Sequence, residues 1–332
     1  MKTFRHLIFA LAWLVVAACG QVPEVRSPLD PDLKPQAGPV FESQKLLASD
    51  GEVQDFFGES VSISGNVAIV GAQGHNNTGS FIGSAYIYRL TSSGWAEEAE
   101  LLASDGADFD ALGKSVSVSG NVAIVGAPGD DDNGHSSGSA YIYRRTSGGW
   151  VEEAKLLASD GNGLDHFGRS VSISGDLAIV SAPDDEDNGH LSGSAYIYRR
   201  TSGGWVEEVK LSDSSEQDYF GRSVSISGNL AIVGAHGHDS LTGSAYIYRR
   251  TSAGWVEEAE LLASDGVSGD LFGSSVSVSG NVAVVGARFD DDHGNSAGSA
   301  YIYRRTSGSW MEEAKLLSSS GMSEEYLGES VS

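Results

Sequence analysis

The sequence predicts an all-β protein, a β-propeller built from four-stranded antiparallel blades. Three observations carry that reading. Near-identical text returns at a fixed period: a glycine recurs at Gly58, Gly113, Gly168, Gly221, Gly273 and Gly328, at intervals of 55, 55, 53, 52 and 55 residues, and a tryptophan at Trp95, Trp150, Trp205, Trp255 and Trp310. A period of this size marks a repeat architecture. Within each period, short runs alternate between polar and apolar residues at a spacing of two, which is strand periodicity, and no run shows a helical period. Glycine, at 43 of 332 residues, supplies the many tight turns such strands require.

One unit can be followed strand by strand. Ser60 to Ser64 (Ser-Val-Ser-Ile-Ser) reads as a half-buried strand. Gly65-Asn66 is a two-residue hairpin turn. Val67-Ala68-Ile69-Val70 is apolar on both faces and is expected between layers. Ala85-Tyr86-Ile87-Tyr88 forms a third strand with aromatics on one face and aliphatics on the other, and a fourth runs from Trp95 to Leu102. A single sheet of this kind has two apolar faces, and packing successive sheets face to face around an axis buries them. The serine-rich strand is then expected at the axis and the tryptophan strand at the rim. A linear β-solenoid fits less well, because its coils are usually shorter than these periods.

The residues before the repeats have a different character. Lys2 and Arg5 precede an apolar run from Leu7 to Val16, the layout of a secretory signal, which ends at Val16-Ala17-Ala18-Cys19-Gly20. Cys19 is the only cysteine. The segment resembles a bacterial lipoprotein signal, in which small residues precede the cysteine that is lipidated. Residues 1–18 are thus expected to be the signal peptide, with Cys19 as the lipidation site and Gly20 favouring the outer membrane, facing the periplasm or the surface. Residues 19–40 hold five of the seven prolines and read as an extended tether. Once Lys2 and Arg5 are removed, 19 basic residues face 45 acidic ones, a net charge of −26. So acidic a chain is not expected to bind nucleic acid through its phosphates.

Residues 41–332 carry the repeats. Phe57-Gly58 followed by Gly71-Ala72, Leu112-Gly113 followed by Gly126-Ala127-Pro128, and Phe167-Gly168 followed by Ser181-Ala182-Pro183 resemble FG-GAP repeats, the units of the integrin α-chain propeller head. The Gly-Ser-Ala-Tyr-Ile-Tyr strand is similar to the bacterial branch of that family. The resemblance implies a propeller, typically of seven blades, used for binding at cell surfaces. Phe41 to Leu47 aligns with the last strand of a unit, five full units follow, and only the first strand of a sixth is present. The chain is therefore expected to be part of a longer protein, incomplete at its C-terminal side.

In an up-and-down blade, the connection entering the first strand and the one joining strands two and three share one end. That end is acidic. Each entering connection has aspartates five apart: Asp50 and Asp55, Asp105 and Asp110, Asp160 and Asp165, Asp213 and Asp218, Asp265 and Asp270. Three of the second loops add Asp130, Asp131, Asp132 and Asn133; Asp184, Asp185, Glu186, Asp187 and Asn188; and Asp290, Asp291 and Asp292. Such aspartates cap turns through side-chain bonds to the backbone. Clustered carboxylates with Asn and Gly also suit Ca2+, which makes these loop residues, Glu186 apart, the candidate calcium ligands. Loops 73–83 and 236–243 lack the triple acid. Integrin-type repeats hold calcium in an Asp-x-Asp-x-Asp-Gly loop between strands one and two, where this chain has only Gly-Asn or Gly-Asp, so those ligands do not carry over.

The opposite end carries Arg89, Arg144-Arg145, Arg199-Arg200, Arg249-Arg250 and Arg304-Arg305, expected to pair across the hairpin with the Glu-Glu that follows each tryptophan. The tryptophans are expected to pack as anchors on the outer strand. His75, His166, His236 and His238 break the repeat without forming a familiar metal-ligand spacing, His236-Gly237-His238 being the nearest. No nucleophile elbow or phosphate loop is present. Because nearly every polar residue is repeated, a unique active site is not expected. The reading that follows is a lipid-anchored binding or adhesion module for a protein or glycan. The alternatives are an extracytoplasmic hydrolase or lyase whose site lies in a missing blade or C-terminal domain, and a structural envelope protein.

Overall fold

A computed structural model describes residues 42–76, 80–213 and 216–332. The signal, the Cys19 lipidation site and the whole of the tether lie outside the described residues. Residues 48–332 form one compact unit.

That unit contains five four-stranded antiparallel sheets, each a meander in chain order. In the first, the strands are Val61–Ser64, Val67–Ala72, Ser84–Thr91 and Gly94–Leu101. The other four sheets span 115–156, 171–212, 220–261 and 272–317. The second strand is buried along its whole length in the first four sheets, as its two apolar faces demand. Among the described residues the one helical element is a turn at His238–Leu241, where Asp239 and Ser240 already have left-handed backbone angles.

Four cores join the five sheets, each shared by consecutive sheets. Between sheets one and two, Ile69, Ile87 and Leu101 of the first meet Leu112, Val116, Tyr141 and Tyr143 of the second. The two faces of the third strand thus have separate tasks: isoleucine looks forward to the next blade and tyrosine looks back. The phenylalanine that opens a unit completes the tyrosine face. Phe167 meets Tyr196 and Tyr198 edge-on, with ring centres 5.4 and 6.1 Å away, a favoured aromatic geometry.

The inner strands explain their serines. The Ser60 and Ser62 hydroxyls accept hydrogen bonds from the Val116 and Val118 amides of the next sheet, at 2.9 and 3.1 Å. Ser117, Ser172 and Ser225 do the same for Ile173, Ile226 and Val278. The polar half of the period-two pattern therefore satisfies backbone donors of the neighbouring blade, which otherwise would be left unpaired. Glycine is required where two blades touch through backbone: a Cβ on Gly126 would lie 2.0 Å from the Gly168 carbonyl oxygen, and Gly168 has φ +92°.

Two details differ from the sequence expectation. Strands three and four slip register in every sheet between the isoleucine and the second tyrosine, so that Ile142 faces Ala154 while Tyr143 faces Glu152. The second glutamate of each pair, Glu98, Glu153, Glu208, Glu258 or Glu313, is the extra residue of this bulge. In addition, only the first arginine of each pair bonds across its own hairpin, as Arg144 does to Glu153. The second reaches the preceding blade: Arg145 bonds Glu98, Arg200 bonds Glu153, Arg250 bonds Glu208 and Arg305 bonds Glu258. The bulge turns the glutamate to where both arginines can reach it.

Candidate functional site

The acidic end is built from three pieces of each unit: the connection entering strand one, the loop between strands two and three, and the end of strand four. In sheets two, three and five the fourth strand brings a lysine into this end. Lys155 Nζ lies 2.9, 2.7 and 2.7 Å from carboxylate oxygens of Asp105, Asp130 and Asp132. Lys210 holds Asp160, Asp185 and Asp187, and Lys315 holds Asp265, Asp290 and Asp292, all within 2.6–2.9 Å. A tyrosine completes each group, Tyr141 Oη donating to Asp105 and Asp130 at 2.7 and 3.0 Å. Burial by itself would lower the pKa of the Lys155 ammonium, but its carboxylate partners outweigh burial and hold it above the usual lysine range. The same contest, burial against the lysine, leaves Asp105, Asp160 and Asp265 below the usual carboxylate range.

The candidate calcium ligands can now be placed. Asp130, Asp132, Asp185, Asp187, Asp290 and Asp292 are the lysine partners just described. Asp131 and Asp291 accept from the Ser136 and Ser296 amides at 2.7 and 2.5 Å, as turn caps do. Asn133 donates to the Ala158 carbonyl at 3.3 Å, Asp184 bonds His166 Nδ1 at 2.7 Å, and Asn188 is exposed. A calcium ion in these loops would compete with a resident ammonium.

The second aspartate of each entering connection has another role. Asp110 Oδ2 accepts the Ala107 amide at 2.7 Å and Asp165 Oδ2 the Asn162 amide at 2.6 Å, closing the connection on itself. Both side chains are buried. Burial first, then the neighbouring Asp130 or Asp185 charge, pushes Asp110 and Asp165 up to about 6 against their backbone bonds.

Sheets one and four depart from this plan together. The position of Asp130, Asp185 and Asp290 is taken by His75 and His238, and that of Lys155, Lys210 and Lys315 by Glu100 and Glu260. An aspartate has become a histidine and a lysine has become a glutamate. His75 Nδ1 lies 3.2 Å from Asp55, and its Nε2 lies 3.8 Å from Asp50 and 3.5 Å from Glu100. His238 Nδ1 lies 2.8 Å from Asp218 and Nε2 3.6 Å from Glu260. Burial pulls the His238 pKa down, but the Asp218 hydrogen bond and the surrounding carboxylates leave it raised. His236, two residues away, does not join this cluster. It packs against the Tyr219 ring with centres 5.1 Å apart, and burial, assisted by Arg222 and Arg288, pushes it down to about 4. His236-Gly237-His238 is therefore not a two-histidine site.

The same end exposes aromatic rings. Phe56, Phe81 and Phe109, from three successive loops of sheets one and two, are 51, 36 and 64 % exposed. They stack in a row with centres 6.4 and 6.3 Å apart. Each has positive φ, at 53°, 54° and 73°, a costly conformation for a bulky residue. No local sequence pattern marks these backbone angles. At the other end, Trp150, Trp205, Trp255 and Trp310 pack partly buried against the cores, as anchors do.

No curated protein matches the chain. A family model for the FG-GAP repeat matches residues 40–88, 95–143, 150–198, 205–248 and 255–303. From the second match on, each begins at or beside the tryptophan of the preceding blade's outer strand and ends in the third strand of the next, one strand out of phase with the sheets. With the five matches, the recurring Phe-Gly and Gly-Ala contacts and the five blades in agreement, this chain belongs to the FG-GAP repeat family.

Proposed function

We propose that the chain is a lipid-anchored, extracytoplasmic interaction module, non-catalytic, which binds a protein partner through its loop end. FG-GAP repeats suggest an extracellular interaction or adhesion-type module, and the leader with Cys19 supports export and anchoring at the bacterial outer membrane. The observation that carries the choice of end is the Phe56-Phe81-Phe109 row. A contiguous exposed apolar patch rimmed by polar groups is what a protein contact uses, and aromatic rings supply contact area at small entropic cost. The acidic loops around it favour a partner with apolar side chains flanked by basic ones.

The test is a photo-crosslinking residue at Phe109, compared with one at Ser147 in the opposite turns, in cells fractionated into membrane and soluble parts. The expected result is a discrete adduct from position 109 only, lost in the Phe56→Ser/Phe81→Ser variant, with the chain in the membrane fraction unless Cys19 is replaced by Ser. Equal adducts from both ends, or none, would remove the loop end from the account. A Cys19→Ser chain that stays in the membrane would remove the anchor.

A further inference from the structure

The exchange of loop aspartate for histidine and strand lysine for glutamate in sheets one and four leaves two clusters. In the first, single ligand atoms of Asp50, His75 and Glu100 all lie within 4.8 Å of one another, and in the fourth so do those of Asp213, Asp218 and His238. We propose that each of these two blades carries a binding site for a divalent transition metal of the zinc class, made by His75, Asp50 and Glu100 in sheet one and, in sheet four, by His238 with Glu260, 3.6 Å from its Nε2, and the clustered Asp213.

Three independent observations support it. The first is internal to the molecule. In sheets two, three and five the equivalent space holds a cation, the lysine ammonium, drawn to three carboxylates at 2.6–2.9 Å. In sheets one and four the strand-four residue that would deliver it is a glutamate, so the position keeps the aspartate of the entering connection, Asp50 or Asp213, exchanges the loop aspartate for a histidine, gains a carboxylate from strand four and loses the lysine's positive charge. The second is spacing. A tetrahedral Zn2+ with bonds of about 2.0–2.1 Å separates its ligand atoms by roughly 3.4 Å. His75 Nε2 lies 3.5 Å from Glu100 and 3.8 Å from Asp50, and His238 Nε2 lies 3.6 Å from Glu260. The third concerns the far side of each ring. Asp55 and Asp218 face Nδ1 at 3.2 and 2.8 Å, the carboxylate–histidine arrangement that fixes the tautomer and aims Nε2 at a metal. Asp55 is 3 % exposed and its Oδ1 has no hydrogen-bond partner.

Ligand chemistry selects the ion. Calcium and magnesium take oxygen ligands, whereas one imidazole with two carboxylates suits zinc and its first-row neighbours. These sites lie between strand four and the loop end, away from the turn between strands one and two. A protonated histidine in a carboxylate cage is the competing account, and the experiment separates the two.

The full chain is titrated with Zn2+ by calorimetry at neutral pH in excess calcium, and with Co2+ by visible absorption. Saturable binding of two ions per chain is expected, with the Co2+ spectrum of a low-symmetry N/O site. The double variants His75→Asp/Glu100→Lys and His238→Asp/Glu260→Lys rebuild the lysine plan in each blade, which preserves packing; each should remove one ion and its share of the Co2+ signal. Asp55→Asn should weaken the first site by about 10–100-fold. No saturable Zn2+ binding, or a stoichiometry that the double variants leave unchanged, would overturn the proposal in favour of the protonated ion pair.

Discussion

Sheets two, three and five differ from sheets one and four at a facing loop position and strand position, and the difference is reciprocal. Where the loop offers Asp130, Asp185 or Asp290, the fourth strand offers Lys155, Lys210 or Lys315; where the loop offers His75 or His238, the strand offers Glu100 or Glu260. The strand pairing is the same in both kinds, Tyr141 facing Lys155 as Tyr86 faces Glu100. One scaffold thus accepts either polarity at its acidic end. In one kind the positive charge is part of the chain; in the other it comes from a proton or an ion.

Removing the internal cation breaks the comparison most severely. Lys155→Met leaves Asp105, Asp130 and Asp132 facing one another around a side chain that was only 16 % exposed. Deleting one partner of a buried ionic group costs about 3–5 kcal/mol, so denaturant unfolding of this variant should show a loss of that order. Glu100→Gln, at the matching position of a histidine blade, removes a like charge and should lose far less. Equal losses at both positions would mean that the two plans do not differ in their charge balance.

The pH dependence sharpens the comparison further. Asp110 is pushed up to about 6 by burial and by Asp130 and Asp105, against the Ala107 amide and Lys155. Its folded pKa exceeds the ordinary value of about 3.9, so the folded state binds the proton more tightly than the unfolded one. Its contribution is then most favourable at low pH and is lost as pH rises from about 4 to about 6. Asp110→Asn keeps an acceptor for the Ala107 amide and should flatten the melting temperature over that interval. A slope unchanged by the substitution would assign it to other groups.

The smallest effect is expected at the opposite end, where all the blades behave more alike. Arg145 joins Glu98 of the preceding sheet with its side chain 37 % exposed, and half-exposed ion pairs contribute about 0.2–1 kcal/mol. A double-mutant cycle on Arg145 and Glu98 should return a coupling in that range. A coupling of zero would reduce the contact to a surface ornament.

The four strands, their inner and outer faces and the sorting of loops onto two ends were legible in the sequence, because period-two patterning and tight hairpins leave little choice. Other features were hidden for identifiable reasons. Glu152 and Glu153 are the same residue type side by side, and only the bulge separates their tasks. Arg145 and Glu98 are partners across 47 residues, a separation no local pattern marks. His75 and His238 are equivalent by the shared Gly-Ala-x-Gly-His, yet loops of different length, 73–83 and 236–243, conceal the match, and a search for paired histidines looks past a histidine paired with glutamate. Positive φ at Phe56, Phe81 and Phe109 is imposed by loop closure and runs against the preference of the residue itself.

The head-to-tail bonding of the blades has a consequence for how such chains change over generations. Each join uses the same parts, serine hydroxyl to amide, bulged glutamate to arginine, isoleucine face to tyrosine face. A duplicated or deleted period therefore meets a compatible neighbour on both sides. Asp50, His75 and Glu100 fall within one such period, as do Asp213, His238 and Glu260. Recombination can thus move a complete histidine or lysine plan in one event, and the cation chemistry of the loop end can be reassorted blade by blade while the joints stay untouched.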